Sequence, residues 1–399
     1  MSLENPLAYF VLMAVVLGVA ALPAFARLDE PAGVAGRVSS IDGLRGFLAL
    51  GVFVYHMVLM RRYLIDGVWA APRDHFYAVL GPVGVSVFFM LTGYLFWTRL
   101  LHTRGRPGWA RLYIGRLFRI GPMYLFVVLA MLAIVFSRSG FVLREPAGVV
   151  AGQALQWLAL GLIDTQPDVN GEVARHVLAG VTWTLWYEWV FYASLLAWAG
   201  VSRWRWHLAA VLVGLVACLA AKRFVQIDAL GFGALFAIGM AVGSWRHARP
   251  ATRLPERAWS AIAGLCLVAA CAAPGTGYGT VAALLLGGFF LAICSGATLF
   301  GLLRTRAAQR LGTISYSLYL MQGLVLTVVL SIVPVARFAL SSPIAWWAVG
   351  TASAVLLVLA ATAGHLWIER PGIALGRRVV SRGWRLQPSS ATAASSDTP

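Results

Sequence analysis

Residues 41–57, IDGLRGFLALGVFVYHM, limit the architecture that this chain can adopt, because an apolar run here carries Asp42, Arg45 and His56. In an α-helix, Arg45 and His56 return to nearly the same face, about 16 Å apart. Ionisable groups inside a membrane helix are costly and usually functional. The alternative interpretation is an arginine at the membrane interface and a histidine that only packs.

The composition of the whole chain is that of a membrane protein. Hydrophobic side chains make up 60% of the 399 residues and charged ones 12%, against about 25% charged in soluble domains. We therefore expect an all-α polytopic membrane protein. The formal charge of +17 does not indicate nucleic acid as a partner, because the basic residues fall in short loops rather than in one patch. The four cysteines lie inside apolar runs, so no metal site is expected.

Eleven apolar runs are long enough, or nearly so, to cross a bilayer. They cover residues 6–26, 42–61, 78–100, 114–136, 181–199, 207–221, 227–245, 258–273, 279–301, 311–333 and 345–367. A twelfth run, 147–163, is expected to be re-entrant or interfacial, because most Lys and Arg residues then fall in cytoplasmic loops. The prediction is an N-terminus outside and a C-terminus inside.

The chain divides into three parts. Residues 1–39 form an N-terminal transmembrane helix and a cytoplasmic linker, residues 40–371 the main transmembrane domain, and residues 372–399 a basic and then disordered cytoplasmic tail. The first run ends in Ala24-Phe25-Ala26, which is similar to a signal-peptidase site. We nevertheless expect a retained helix, because the run is preceded by Glu4 and by no basic residue.

Two ionisable residues, His56 and Glu188, are expected at the same depth. His56 lies about 21 Å from the cytoplasmic boundary at Asp42, and Glu188 about 10 Å below the outer end of its run. If their helices are neighbours, the imidazole and the carboxylate could be a base and the group that orients it. A buried pair that merely joins two helices is the alternative.

Two further patterns are candidates for ligand binding. Arg116 and Arg119 are three residues apart and share a helix face, so they could grip a phosphate, although positive-inside arginines are common. The segment TWTLWYEWVFY, residues 182–192, places six aromatic residues around Glu188. It fits either an aromatic belt at the membrane interface or a pocket that stacks a sugar ring.

Six motifs follow one another between residues 40 and 371. They are Asp42-Gly43-Leu44-Arg45-Gly46 with His56; Phe88-Phe89 with Thr92-Gly93; Arg116, Arg119, Ile120, Pro122 and Tyr124; Trp183, Thr184, Leu185, Glu188, Phe191 and Tyr192; Ser315 to Leu320; and Glu369-Arg370-Pro371. Together they resemble the acyltransferase 3 family of integral-membrane acyltransferases. Thr92 and Thr184 stand where the family has Ser, and Gln322 stands where it usually has His.

The resemblance implies a ten-helix core, with one extra N-terminal helix, in a bacterial inner membrane. It implies an O-acyltransferase that moves an acyl group, expected to be acetyl, from cytoplasmic acyl-CoA to a hydroxyl of a carbohydrate or glycosylated acceptor at the outer side. His56 would be the general base and Glu188 its orienting group, and Arg45, Arg116 and Arg119 would hold CoA.

The remaining predicted residues have supporting roles. Trp183, Tyr187 and Tyr192 are candidates for binding the acceptor. The motif residues with an expected structural role are Asp42, Thr92, Ser315, Tyr319, Gln322 and Glu369.

A transporter or flippase of a glycolipid-like substrate is the rival interpretation. It would use His56 and Glu188 as a proton relay. It explains the charges inside the membrane but not the basic pair at the cytoplasmic mouth.

Overall fold

The computed structural model describes residues 5–29, 39–225, 228–249, 254–275 and 277–385. Within these ranges the chain is helical, and an isolated bridge between Val169 and Glu172 is its only β-type pairing. Most of the predicted linker (30–38), the predicted disordered end (386–399) and the first residue of the run 227–245 lie outside the described residues.

Sixteen α-helices occur in the described ranges. They are α1 (Leu7–Ala21), α2 (Ser39–Asp66), α3 (His75–His102), α4 (Trp109–Arg138), α5 (Ala147–Leu158), α6 (Ala174–Val177), α7 (Trp183–Val201), α8 (His207–Phe224), α9 (Asp228–Ala248), α10 (Glu256–Ala272), α11 (Thr280–Cys294), α12 (Arg306–Thr313), α13 (Ser315–Ser331), α14 (Val333–Ser341), α15 (Pro343–Gly364) and α16 (Arg370–Arg385). Short 3₁₀ turns cover Pro23–Leu28 and Leu302–Arg304, and a π-helical turn covers His365–Glu369.

Five helical stretches are long and apolar enough to cross a membrane: α2, α3, α4, α9 and the continuous rod that runs from α15 into α16. α12 and α13 qualify together, although they are bent by 71° at their junction. α1, α8 and α11 are apolar but shorter. The all-helical, polytopic membrane architecture predicted from the composition is therefore confirmed.

Three predicted runs are not unbroken helices. In the run 6–26, α1 ends at Ala21 and a 3₁₀ turn begins at Pro23. The run 311–333 changes direction at Ile314, between α12 and α13. The run 279–301 leaves the helix after Cys294, because Gly296 and Leu299 have φ values of 118° and 50°. A residue with positive φ cannot continue a right-handed helix. Hydropathy alone does not detect these breaks, since the residues on both sides remain apolar.

The uncertain run 147–163 contains α5 and a loop. α5 has 12 residues and is therefore about 18 Å long, which is too short to cross a hydrocarbon core of about 30 Å. Its C-terminal end is held by the indole of Trp157, which donates a hydrogen bond to the carbonyl of Pro167. A straight crossing by this run is excluded, in line with the interfacial interpretation.

α2 is central to the packing, and it lies against α3, α12 and α13. Two glycines of the Asp42–Gly46 motif allow this close approach. A Cβ atom on Gly43 would lie 2.1 Å from the carbonyl oxygen of Leu303, and one on Gly46 would lie 2.6 Å from Cβ of Leu311. The motif glycines thus bring the start of α2, which carries Arg45, against the α12 region.

α1 is joined to the rest of the molecule by Arg310 of α12. The Arg310 guanidinium forms a two-pronged ion pair with Asp29, at 2.7 and 2.9 Å. Its Nη1 also donates to the carbonyl oxygens of Ala20, Ala21 and Leu22 at the C-terminal end of α1. A cation at a helix C-terminus is favourable because it satisfies free carbonyl groups and opposes the helix dipole.

Candidate functional site

An interior cavity lies between α2, α3, α4, α7 and α13. The cavity itself has a volume of about 170 Å³, and the figure rises to about 980 Å³ when the open space at its mouth is counted. The predicted residues among those that line it are Arg45, Thr92, Arg116, Arg119, Glu188, Tyr192, Ser315 and Tyr319. Motifs that are far apart in the chain are therefore brought together around one space.

Three arginines give this cavity its charge. Arg45, Arg116 and Arg119 are partly exposed, and their guanidinium groups interact electrostatically with one another. Within the described ranges none of the three forms an ion pair with a carboxylate. The Arg116 guanidinium stacks over the ring of Phe96 at 4.6 Å. Clustered guanidinium groups without carboxylate partners are suited to binding phosphate.

A buried hydroxyl adds a polar group to the same wall. Ser315 lines the cavity, and its Oγ has no hydrogen-bond partner in the described part of the chain. The neighbouring Tyr316 donates its phenolic proton to the carbonyl of Ile120 and so joins α13 to α4. A buried polar atom without a partner is unfavourable, and this makes Ser315 a candidate for contact with a ligand.

Glu188 belongs to the arginine cluster. Its Oε2 accepts a 2.6 Å hydrogen bond from the hydroxyl of Tyr192, one turn further along α7. The carboxylate also interacts electrostatically with Arg116, Arg119 and Arg45. It therefore offsets part of the positive charge at the cavity.

His56 lies apart from Glu188. Its Nδ1 is 3.0 Å from the carbonyl oxygen of Val52 and 3.2 Å from Oε1 of Gln322. Among the described residues His56 and Glu188 share no hydrogen bond, so the structure gives no direct contact between them, and their roles as base and orienting group stay predictions. The reason for the missing contact is the helix arrangement, because α2 packs mainly against α3, α12 and α13, whereas α7 packs against α3 and α9.

His56 does not line the arginine cavity, but a short chain of contacts leads to it. The Nε2 of Gln322 donates to the carbonyl of Tyr319, whose side chain lines the cavity. The Tyr319 hydroxyl lies 3.3 Å from Oγ1 of Thr184 and donates to the carbonyl of Val181. Gln322, the residue that departs from the family motif, is thus the direct neighbour of His56.

Glu369 forms a second buried carboxylate network. It is 1% exposed, and its Oε2 accepts hydrogen bonds of 3.0 Å from Ser317 Oγ and from His365 Nδ1. His365 and Glu369 both lie in the π-helical turn that joins α15 to α16. His365 had no predicted role, although its i, i+4 spacing from Glu369 is a signal in the sequence that could have identified the pair.

The aromatic residues predicted to form one sugar-binding group are divided. Tyr192 faces the arginine cavity. Trp183 and Tyr187 instead pack on Phe232, with ring centroids 5.0 and 4.7 Å from it. Trp183 also lines a separate pocket of about 210 Å³ together with Trp186. The six aromatic residues of 182–192 therefore do not surround a single ligand space.

Asp42 lies in the first turn of α2, where its charge acts on Arg45. Its backbone carbonyl passes close to Gly312, since a Cβ there would lie 1.8 Å from this oxygen. Within the described ranges no group of three His, Cys, Asp or Glu side chains is arranged to hold a metal ion.

Comparisons of the sequence with known proteins relate this chain to acyltransferases. A family model for an acyltransferase domain, acyltransferase 3, matches residues 38–363. A curated protein named acyltransferase MdmB, from Streptomyces mycarofaciens, is 28% identical over 192 residues. This alignment covers 46% of the present chain and 46% of the relative, so the chain matches about half the length of that protein. No solved structure matches the chain.

Proposed function

This chain belongs to the acyltransferase 3 family, and from that premise we propose that it acylates a carbohydrate or glycosylated acceptor by using acyl-CoA. The donor would approach from the cytoplasm and the acceptor from the outer side of a bacterial inner membrane. Acetyl is the expected acyl group. The observation that carries the proposal is the cavity that holds Arg45, Arg116 and Arg119 without carboxylate ion-pair partners in the described structure.

The arginines are suited to the donor. CoA carries several phosphate groups, and guanidinium groups bind phosphate through parallel charged hydrogen bonds. Arg116 and Arg119 lie in α4 and Arg45 in α2, so a donor held by all three would bridge these two helices. Glu188 and Tyr192 would keep the arginines apart and oriented.

His56 would supply the acid–base chemistry. The imidazole takes the proton from the acceptor hydroxyl as the oxygen forms its ester bond to the acyl carbon. The carbon–sulfur bond of the thioester breaks, and the proton passes on to the sulfur of CoA. The products are an acyl ester and free CoA, with no change in oxidation state.

The rival transporter reading loses support. A direct relay would need His56 and Glu188 to exchange a proton, whereas in the described residues His56 bonds to Gln322 and Glu188 to Tyr192. A transporter also gives no reason for three arginines in one interior cavity.

Purified protein in detergent tests the proposal. We expect it to bind acyl-CoA and to release the free thiol in the presence of extracted surface glycan, and we expect a stably folded His56→Ala variant to release almost none. Mass spectrometry of glycans from a deletion strain and its parent would identify the acceptor. If the protein neither binds nor consumes acyl-CoA of any chain length, the proposal is wrong.

A further inference from the structure

Gln322 is fully buried on α13 and touches His56. Its Oε1 lies 3.2 Å from His56 Nδ1, and its Nε2 donates a 2.8 Å hydrogen bond to the carbonyl of Tyr319. The amide therefore makes one contact on each side. This residue has no role in the chemistry described so far.

The orientation of the Gln322 amide follows from its two neighbours. The carbonyl of Tyr319 can only accept, so the amide NH₂ group must face it. The amide oxygen then faces His56. If the amide were flipped, Oε1 of Gln322 would face the carbonyl oxygen of Tyr319, and neither of these atoms can donate a hydrogen bond.

The same reasoning decides which nitrogen of His56 carries the proton. Nδ1 lies near two acceptors, the carbonyl of Val52 at 3.0 Å and Oε1 of Gln322 at 3.2 Å. It must therefore be the N–H nitrogen of a neutral imidazole. Nε2 then carries the lone pair, and it forms no hydrogen bond with any described residue.

Among the described residues, no charged side chain forms a hydrogen bond or an ion pair with His56. Its described polar neighbours are Val52 O and Gln322, and the ring of Tyr55 packs against it edge-on at 5.0 Å. A carboxylate in the place of Gln322 would stabilise the charged imidazolium. A neutral amide orients the ring and stabilises the imidazolium less than a carboxylate would.

We propose that Gln322 is a positioning residue, which holds His56 with its proton on Nδ1 and leaves Nε2 as the atom that takes the acceptor's proton. The inference rests on the proposed function, because it assigns the base of that reaction. It also gives the departure from the family motif a purpose, since an amide oxygen here is an acceptor for the histidine of α2.

The direct test is to measure which ring nitrogen of His56 carries the proton. Protein labelled with ¹⁵N-histidine and placed in liposomes reports the protonated nitrogen by NMR, and a His56→Ala sample identifies the signal among the 7 histidines. We expect wild type to show the Nδ1–H form. Gln322→Leu leaves only the carbonyl of Val52 as an acceptor at Nδ1, so it should raise the share of the Nε2–H form, whereas Gln322→Glu, which keeps the second acceptor in place, should not.

Kinetics give a second, independent measurement. Gln322→Leu should lower kcat about 10- to 100-fold, part of the contribution of a general base, and leave KM for acyl-CoA unchanged. Gln322→Glu should retain most of kcat, with the acidic limb of its pH–rate profile moved to higher pH because a carboxylate favours the imidazolium. The control is Thr327→Val, five residues further along the same helix, which removes a buried hydrogen bond to Val177 instead of one to His56 and should leave kcat and the pH profile unchanged.

The outcomes separate this inference from the proposed function. An Nε2–H signal for His56 in wild type, or a Gln322→Leu variant with unchanged spectrum and kcat, would overturn the role of Gln322. A wild type that shows Nδ1–H but consumes no acyl-CoA would support the positioning of His56 by Gln322 and overturn the acyltransferase chemistry instead.

Discussion

At the scale of single residues, the arginines differ in whether their guanidinium groups already have partners in the protein. Arg310 also carries a buried guanidinium, but Asp29 and three carbonyls of α1 occupy it. Arg116 and Arg119 have no such carboxylate ion pair in the described chain. Saturated donors hold a fold together, whereas unsaturated ones remain available to a ligand.

Arg116→Ala and Arg119→Ala should each weaken acyl-CoA binding. A hydrogen bond to a charged group contributes about 1.5–3 kcal/mol, so the dissociation constant should rise about 10- to 150-fold. Calorimetric titration in detergent measures this. Arg304→Ala is the matched control, because Arg304 is exposed and lies outside the cavity. Unchanged affinity in both cavity variants would contradict the donor site.

At the scale of helices, the start of α2 depends on the absence of side chains at its motif glycines. Gly43→Ala should lower the melting temperature and displace Arg45, because the new Cβ would collide with the backbone carbonyl of Leu303. Overpacking typically costs about 1–3 kcal/mol. Gly115→Ala in α4 is the control, since its Cβ would meet nothing within 4 Å. Equal melting temperatures for the two variants would argue against this packing.

Also at the scale of helices, the ion pair between Asp29 and Arg310 that holds α1 in place is expected to depend on pH. The hydrogen bonds from Arg310 hold the pKa of the Asp29 carboxyl below its ordinary value. A group with a lowered pKa stabilises the fold above its unfolded pKa, near 3.9 for Asp, and loses this contribution as the pH falls through the folded value.

We therefore expect the melting temperature to be insensitive to Asp29 between pH 5 and 8 and to fall below about pH 4. The Asp29→Asn variant should lack this part of the acid sensitivity, which thermal denaturation at a series of pH values would show. An identical acid profile for wild type and Asp29→Asn would refute the contribution of this ion pair.

At the scale of the whole molecule, the orientation in the membrane decides which end of the cavity meets the donor. With the predicted N-terminus outside and C-terminus inside, Arg45 lies toward the cytoplasm and His56 deeper in the same helix, about 16 Å away. Both residues lie in the single helix α2, so one element would connect the donor side to the acceptor side.

Fusion proteins test this orientation. We expect green fluorescent protein attached at the C-terminus to fluoresce, and alkaline phosphatase inserted at Asp164 to be active, because that enzyme matures only outside the cytoplasm. Alkaline phosphatase inserted at Arg104, between α3 and α4, should be inactive and serves as the control. The reverse pattern of activities would invert the proposed topology.

Much of this protein follows from its sequence alone. Hydropathy is a local property, so the helical membrane architecture and most helix positions could be predicted from apolar runs. The functional motifs could also be identified in the sequence, and residues from five of them, namely Arg45, Thr92, Arg116, Glu188 and Ser315, line one cavity. The split helix at Ile314 escaped prediction because a bend within an apolar run does not change its hydropathy.

Which side chains contact one another was decided only by the tertiary structure. Matched depth suggested that His56 would meet Glu188, but depth along a helix does not specify which helices are neighbours. Packing places α13 beside α2, so Gln322 reaches His56, while Glu188 turns to Tyr192 and the arginines. Spacing in the sequence determines the face and depth of a residue, whereas its partner depends on contacts between distant segments that local pattern does not encode.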